Sequence, residues 1–340
     1  MSRLAVLFAL LSGTVLLPSG LLAAEVQTAK DKDEVRLFSV ALETGKYWNG
    51  PEAENLKKLS KSHPIVLTWW WAELEDKLGV AADKVERLAI VAMAESGTPC
   101  IIRTKEPIDR KAVLAKMAPG AEPTTIGDQP YWAAEKAEYA VAFADPRTLL
   151  LVPAVSAKRF LTRHAATVWC AERLAAPGDA ATGKTLLALE VNPRMLGDLL
   201  KPGDERAEPF RPLEKARSLQ MKMEVDKELR AILAAEFADE AAAERGLPAV
   251  QKVLEGLAFY FDMVQENMPK FAKVQETKYP GAPEMVESLL AAVRAAQAGV
   301  KDAKAVRNGN RVEAAVTIKT DRPVSAAVLL LSLMPRAGKK

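Results

Sequence analysis

Two hydrophobic periods alternate along this chain. Residues 35–42 (VRLFSVAL) have the β-branched and aromatic content of a strand. Residues 52–59 and 65–78 then take the helical period, with Pro51 suited to a first turn and Gly79 to a stop. From residue 85 the period shortens. Residues 85–94 and 99–104 predict a hairpin turning on Glu95-Ser96-Gly97-Thr98. Asp109 is placed to cap a helix running to residue 117. Short strands are expected over 124–126, 131–133, 139–144 and 148–152, the last two flanking Asp145-Pro146-Arg147. Pro153 opens a helix toward His164, and residues 168–175 are helix-like.

The second half retraces this order. A strand over 185–191 and a helix over 193–200 precede a Pro-rich loop, 202–212. Residues 218–225 and 228–237 predict a hairpin on Asp226-Lys227. The Ala and Leu of its second strand also fit a helix, and pairing with the first strand decides for the hairpin. Helix is expected over 239–257 and beyond, broken near Met268-Pro269 and Tyr279-Pro280-Gly281. A hairpin over 303–306 and 311–318 turns on Asn308-Gly309-Asn310, and Pro323 starts a closing helix to 333.

Each half therefore reads strand, helix, hairpin, helix, hairpin. The expected class is α+β: antiparallel sheets built from hairpins with helices packed on one face. The expected halves are residues 35–176 and 177–335, related by a degenerate internal duplication spanning roughly 33–165 and 183–335. Two unlike α+β domains are the alternative.

The N-terminus departs from both periods. Arg3 precedes an uncharged, mostly apolar run from Leu4 to Leu17, then Pro18-Ser19-Gly20 and a small-residue exit at Ala23-Ala24. Charged start, apolar middle and small-residue end make residues 1–24 a secretory signal peptide. The run is shorter than the ~20 residues a spanning helix needs. Leu22 stands where a small residue is preferred, so an uncleaved N-terminal anchor is the alternative. Residues 25–34 read as a flexible segment and 336–340 as a basic tail.

Composition narrows the function classes. Lys plus Arg is 47 against 44 for Asp plus Glu, which gives no long-range field and argues against a nucleic-acid binder. At 49% apolar residues the chain builds a core. Cys100 and Cys170 are a candidate disulfide in an oxidising compartment, with two small buried residues as the alternative.

The stretches VERLAIVAM, PCIIRTKEPIDRKAVLAKM, IGDQPYWAAEK and AFADPRTLLLVP resemble those of an uncharacterised family of exported planctomycete-type bacterial α+β proteins. The matching residues are Thr104, Lys105, Pro107, Asp109 and Arg110, then Asp145, Arg147, Thr148 and Leu149, with Pro146 departing from the second pattern. The family has no known activity, so the resemblance implies location and architecture only.

The sharpest motif is Gly178-Asp179-Ala180-Ala181-Thr182-Gly183-Lys184-Thr185, which fits G-x-x-x-x-G-K-[ST]. A phosphate loop needs a strand before it and a helix after it, so that a helix N-terminus faces the phosphates. Here a helical segment precedes and a strand follows. Gly178, Gly183, Lys184 and Thr185 are therefore expected to be a decoy. Trp69, Trp70 and Trp71 are a candidate partner contact. Three successive helical residues span ~200° of the circumference, so all three cannot face one core.

His63 and His164 have no metal-ligand spacing and are expected at the surface or at helix ends. The carboxylate groups Glu73, Glu75, Asp76 and Asp239, Glu240, Glu244 fit solvated faces or a first-turn dipole effect. No catalytic, cofactor or metal residues are assigned. The expectation is an exported protein that binds or builds in the periplasm or envelope without catalysis. Its unidentified partner would be an envelope protein, a glycan or a membrane surface. The alternatives are an extracytoplasmic hydrolase with a site scattered over the sheet and nucleotide binding through residues 178–185.

Overall fold

The computed structural model describes residues 36–45, 50, 52–54, 76, 78–174, 184–199, 205, 207–275 and 282–332. The signal peptide, residues 25–34, His63, Trp69, Trp70, Trp71, Gly178, Gly183 and the basic tail lie outside them. The chain divides into two compact units. The first holds residues 36–50 and 76–174 of the described chain, the second 52–54 and 184–332. Between residues 174 and 184 the described chain passes from the first unit to the second. Residues 52–54 go instead to the second unit.

In the first unit β1 (Arg36–Leu42), β2 (Val85–Met93) and β3 (Cys100–Thr104) are consecutive antiparallel neighbours. After α1 (Arg110–Met117) come β4 (Thr124–Ile126), β5 (Gln129–Trp132), β6 (Tyr139–Asp145) and β7 (Thr148–Pro153). The chain does not add these in order. β7 pairs with β3, and the sheet runs β1-β2-β3-β7-β6-β5-β4.

Strand alternation sends Ala89, Val91, Ile101, Ala140, Ala142, Leu150 and Val152 to one face. There they meet Phe160, Leu161, Trp169, Cys170 and Leu174 of α2 (Ala157–Arg163) and α3 (Ala166–Leu174). Burying such a large side chain stabilises the fold by about 1.5–3 kcal/mol. The expected helical cover is thus supplied by α2 and α3. The other face is also apolar, with Leu88, Ile102, Val141, Leu149 and Leu151 buried. α1 packs on this side, with Arg110 over the ring of Phe143. On this second face α1 lies against β6. The near-continuous apolar runs of β6 and β7 are the sequence signature of that burial.

The second unit begins with β8 (Thr185–Val191), α4 (Arg194–Leu199) and the hairpin β9 (Ser218–Val225), β10 (Leu229–Glu236). β10 is a strand and not a helix because it is paired along its whole length, to β9 on one side and β12 on the other. The expected loop before β9 contains a 3-10 helix, Glu208–Lys215, which buries Phe210 and Leu213. Pro209 falls in its first turn, where a missing N–H costs no helical bond, while Pro212 lies inside it.

Then follow α5 (Glu240–Gln275), α6 (Ala282–Asp302), the hairpin β11 (Ala305–Asn308), β12 (Arg311–Ile318) and α7 (Pro323–Ser332). α5 was expected to break near Met268-Pro269, yet it continues through both Pro248 and Pro269. Its long packing against α6 outweighs the ~3 kcal/mol that an interior proline costs. The sheet runs β8-β9-β10-β12-β11. Leu219, Met221, Met223, Leu229, Leu233, Val312, Ala314, Val316 and Ile318 form its buried face. The alternate positions mix polar Lys222, Arg230 and Glu313 with apolar Ile232, Ala234 and Ala315, and β8 is buried on both faces.

Two close approaches fix the helices of this unit. A Cβ on Gly299 of α6 would lie 2.2 Å from the carbonyl oxygen of Thr317 on β12. A Cβ on Gly246 of α5 would lie 2.1 Å from the ring of Phe237, which is fully buried. α7 is anchored from far away in sequence. The Glu52 carboxylate accepts from the backbone N–H groups of Val324 at 2.9 Å and Ser325 at 2.7 Å, supplying partners for two of the first-turn donors that a helix leaves open.

The two units repeat one pairing scheme. In each, a lone strand pairs with a hairpin, and a later hairpin returns so that its second strand pairs with the third strand. β1, β2, β3, β7 and β6 correspond in this scheme to β8, β9, β10, β12 and β11, with β4–β5 extra in the first unit.

Replacing Gly299 by Ala is expected to cost about 2 kcal/mol, because a backbone atom cannot move aside. Chemical denaturation followed by circular dichroism should show the midpoint fall with an unchanged slope. An Ala at exposed Gly120, where nothing lies within 4 Å, is the comparison for a loop glycine with φ of +70°.

Candidate functional site

The family-like motifs of the first unit meet in space. Thr104 and Arg147 lie 43 residues apart in sequence, and the β3–β7 pairing brings them together. The Thr104 N–H donates to the Arg147 carbonyl at 2.9 Å. The Thr104 hydroxyl is shared between the carbonyls of Glu106 (2.6 Å) and Arg147 (3.2 Å). Ile108 N–H donates to the Pro146 carbonyl at 2.8 Å, and the Arg147 guanidinium reaches the Lys105 carbonyl at 3.4 Å. Lys105 N–H and ammonium donate to the carbonyls of Lys84 (3.0 Å) and Asp83 (2.7 Å). This end of the sheet is thus a knot of turns, each satisfying its neighbour's backbone.

Its carboxylates are committed to the same task. Asp109 caps α1, accepting from Ala112 N–H at 3.1 Å. Glu106 pairs with Lys84 at 3.1 Å. Asp145 accepts from the Arg147 N–H at 2.7 Å and from the buried Thr148 hydroxyl at 2.8 Å. Burial pushes the Asp145 carboxyl up. The hydrogen bonds from Thr148 and Arg147, with the charges of Arg103 and Arg147, outweigh it and hold the carboxyl below the usual carboxylate range.

The residues singled out in sequence fall elsewhere. Lys184 and Thr185 lead directly into β8, so no helix N-terminus follows them. The Lys184 ammonium is 2.7 Å from the Asp226 carboxylate on the β9–β10 turn, where the hydrogen bond and opposite charge raise one pKa and lower the other. Of the phosphate-loop motif, Gly178 and Gly183 lie outside the described residues, Lys184 pairs with Asp226 and Thr185 begins β8. Cys100 and Cys170 are free thiols. Cys170 belongs to the core beneath α3. Cys100 points to the opposite face, because its neighbour Ile101 faces that core. The sheet lies between them, so the candidate disulfide does not form in this fold. Burial pushes both thiols up to about 12.

His164 ends α2, its ring 4.9 Å from Phe160 and 6.3 Å from Trp169. Asp239 caps α5 through Ala242 N–H at 2.7 Å, and Glu240 and Glu244 pair with Arg307 at 3.3 and 2.9 Å. Those carboxylates serve a helix start and an edge strand. Among the described residues no three His, Cys, Asp or Glu side chains converge as metal ligands. Composition did not flag the outer side of α5, where Phe259 is 67% and Met263 43% exposed, one helical turn apart.

This is an α+β protein built on antiparallel sheet, and no described helix is long and apolar enough to cross a membrane. No family model and no curated protein matches the chain. Among solved structures it is similar to three crystal forms of TP0453. Form IV has 10% identity and a TM-score of 0.40 over 93% of this chain and 99% of that one. Form I has 11% and 0.39 over 91% and 98%, and form III 8% and 0.40 over 89% and 100%. The likeness is too slight for fold or function to be carried across.

The knot predicts a pH signature. Because the folded Asp145 pKa is lowered, its stabilisation is fully present above the unfolded value of about 3.9 and is lost as pH falls through the folded value. Asp145→Asn should therefore cost about 1 kcal/mol at pH 7, a figure discounted for solvent screening, and progressively less below pH ~4. Urea titrations of both proteins across that range measure the difference.

The thiols predict a labelling pattern. At pH 7.5 the native protein should resist iodoacetamide at both cysteines, and both should react once it is unfolded. Mass spectrometry of the labelled chains reads the result.

Proposed function

We propose that the chain is exported and acts in the periplasm or cell envelope as a binding or structural protein without catalysis. The observation that carries the second part is how the convergent loops use their acids. A general acid or base must exchange a proton near neutral pH. Asp145 is held ionised well below that range by its donors, Asp109 is spent on a helix cap, and Glu106 on Lys84. The hydrolase reading has to draw its acids from elsewhere on the sheet. The export part rests on the charged, apolar and small-residue parts of residues 1–24, and the resemblance to an exported family points the same way. We also propose that the matching strand orders of the two units descend from a doubled ancestral unit, with β4–β5 added later to the first.

Fractionation of a bacterium expressing the full chain with a C-terminal tag tests the export reading. The tagged protein should appear in the periplasmic fraction, shortened by about the length of the leader. Full-length protein confined to the cytoplasm would overturn it.

A further inference from the structure

A second cluster of the first unit takes no part in the knot of turns. β5 pairs with β6 so that Trp132 lies opposite Val141 and Tyr131 opposite Ala142. Tyr131 and Ala142 face the core under α2 and α3. Strand alternation therefore puts Trp132 and Phe143 together on the other face, where their rings meet edge-on at 5.8 Å and 69°. Both side chains are half-buried. Arg110, the first residue of α1, lays its guanidinium over the Phe143 ring at 4.9 Å.

The polar atoms of this cluster are donors awaiting an acceptor. Arg110 has no carboxylate within ion-pair distance among the described residues, since the adjacent Asp109 is turned to the Ala112 N–H. The Trp132 indole N–H has no acceptor among the described residues and is not sealed from solvent. Lys111 and Pro130 beside them are exposed. The aromatic rings stand on paired strands and the exposed Arg110 lies over one of them, so the groups are gathered before any ligand arrives.

We propose that this cluster binds an acidic sugar, a pyranose carrying a carboxylate. Its C–H face lies on the Trp132 ring and its carboxylate on the Arg110 guanidinium. A pyranose combines what the site asks for, a flat apolar face and an acceptor-rich edge. The negative charge suits a guanidinium with a free fork of N–H groups. An acidic peptide offers the charge without the flat face. A nucleic acid offers both but needs a basic track, which 47 cations against 44 acids do not supply. The proposal rests on the reading of the chain as a binding protein.

The test uses the full mature chain with trigalacturonate, its neutral methyl ester and hexaglutamate, followed by calorimetry and saturation-transfer NMR. Trigalacturonate should bind with a Kd on the order of 1 mM or tighter. The ester should bind at least about tenfold more weakly, and Arg110→Gln should weaken trigalacturonate binding by a similar factor. Trp132→Phe keeps a ring and should lose less affinity than Trp132→Ala. Arg110→Gln, at an exposed position, keeps the test open where Trp132→Ala fails to fold. No binding of trigalacturonate, equal binding of the ester, equal binding of hexaglutamate, or affinity unmoved by Arg110→Gln each overturns the proposal. A protein exported to the periplasm that ignores the sugar defeats this proposal alone. One that binds the sugar but stays in the cytoplasm defeats the export reading alone.

Discussion

In both units the third strand accepts a strand from a hairpin much later in sequence. β3 takes β7 and β10 takes β12. Everything between must be folded back before those pairs form, and the entropy of closing such a loop rises only slowly with its length. The intervening chain is thus free to carry different cargo. In the first unit it holds α1 and the extra hairpin β4–β5. In the second it holds the two long helices α5 and α6. The same pairing frames a sheet apolar on both sides in one case and a sheet with one mixed face in the other.

The β3–β7 pairing also creates the features with chemical character. It draws Thr104 and Lys105 to Asp145 and Arg147, where hydroxyl, amide and carboxylate groups satisfy one another. Such a fully satisfied polar knot favours one arrangement of the turns. Its consequence for function is restrictive, because a carboxylate stabilised as an anion by several donors is a poor proton shuttle. One strand over, the β5–β6 pairing leaves Trp132, Phe143 and Arg110 with aromatic faces and unspent donors.

Helix packing in the second unit obeys a different constraint. Gly299 and Gly246 are positions where a side chain would collide with β12 or with Phe237, so the absence of a Cβ sets how closely helix and sheet approach. Glu52 closes the first turn of α7 from 272 residues upstream in sequence. Its two hydrogen bonds tie residue 52 to the second unit although it precedes nearly all of the first.

Strand and helix periods along the chain were enough to determine the α+β class, nearly every hairpin, the Asp109 cap and the strand that follows Lys184, because each rests on residues close in sequence. Side-chain alternation and turn chemistry are local, and a strand after Lys184 is visible in Thr185–Val191 alone. Only the tertiary structure decided the strand order, the run of α5 through two prolines, the separation of Cys100 from Cys170 by the sheet, and the contacts of Arg110 and of Trp132 with Phe143. Those depend on which distant strands pair and on how much packing offsets a local cost, and neither quantity is carried by any short stretch of residues.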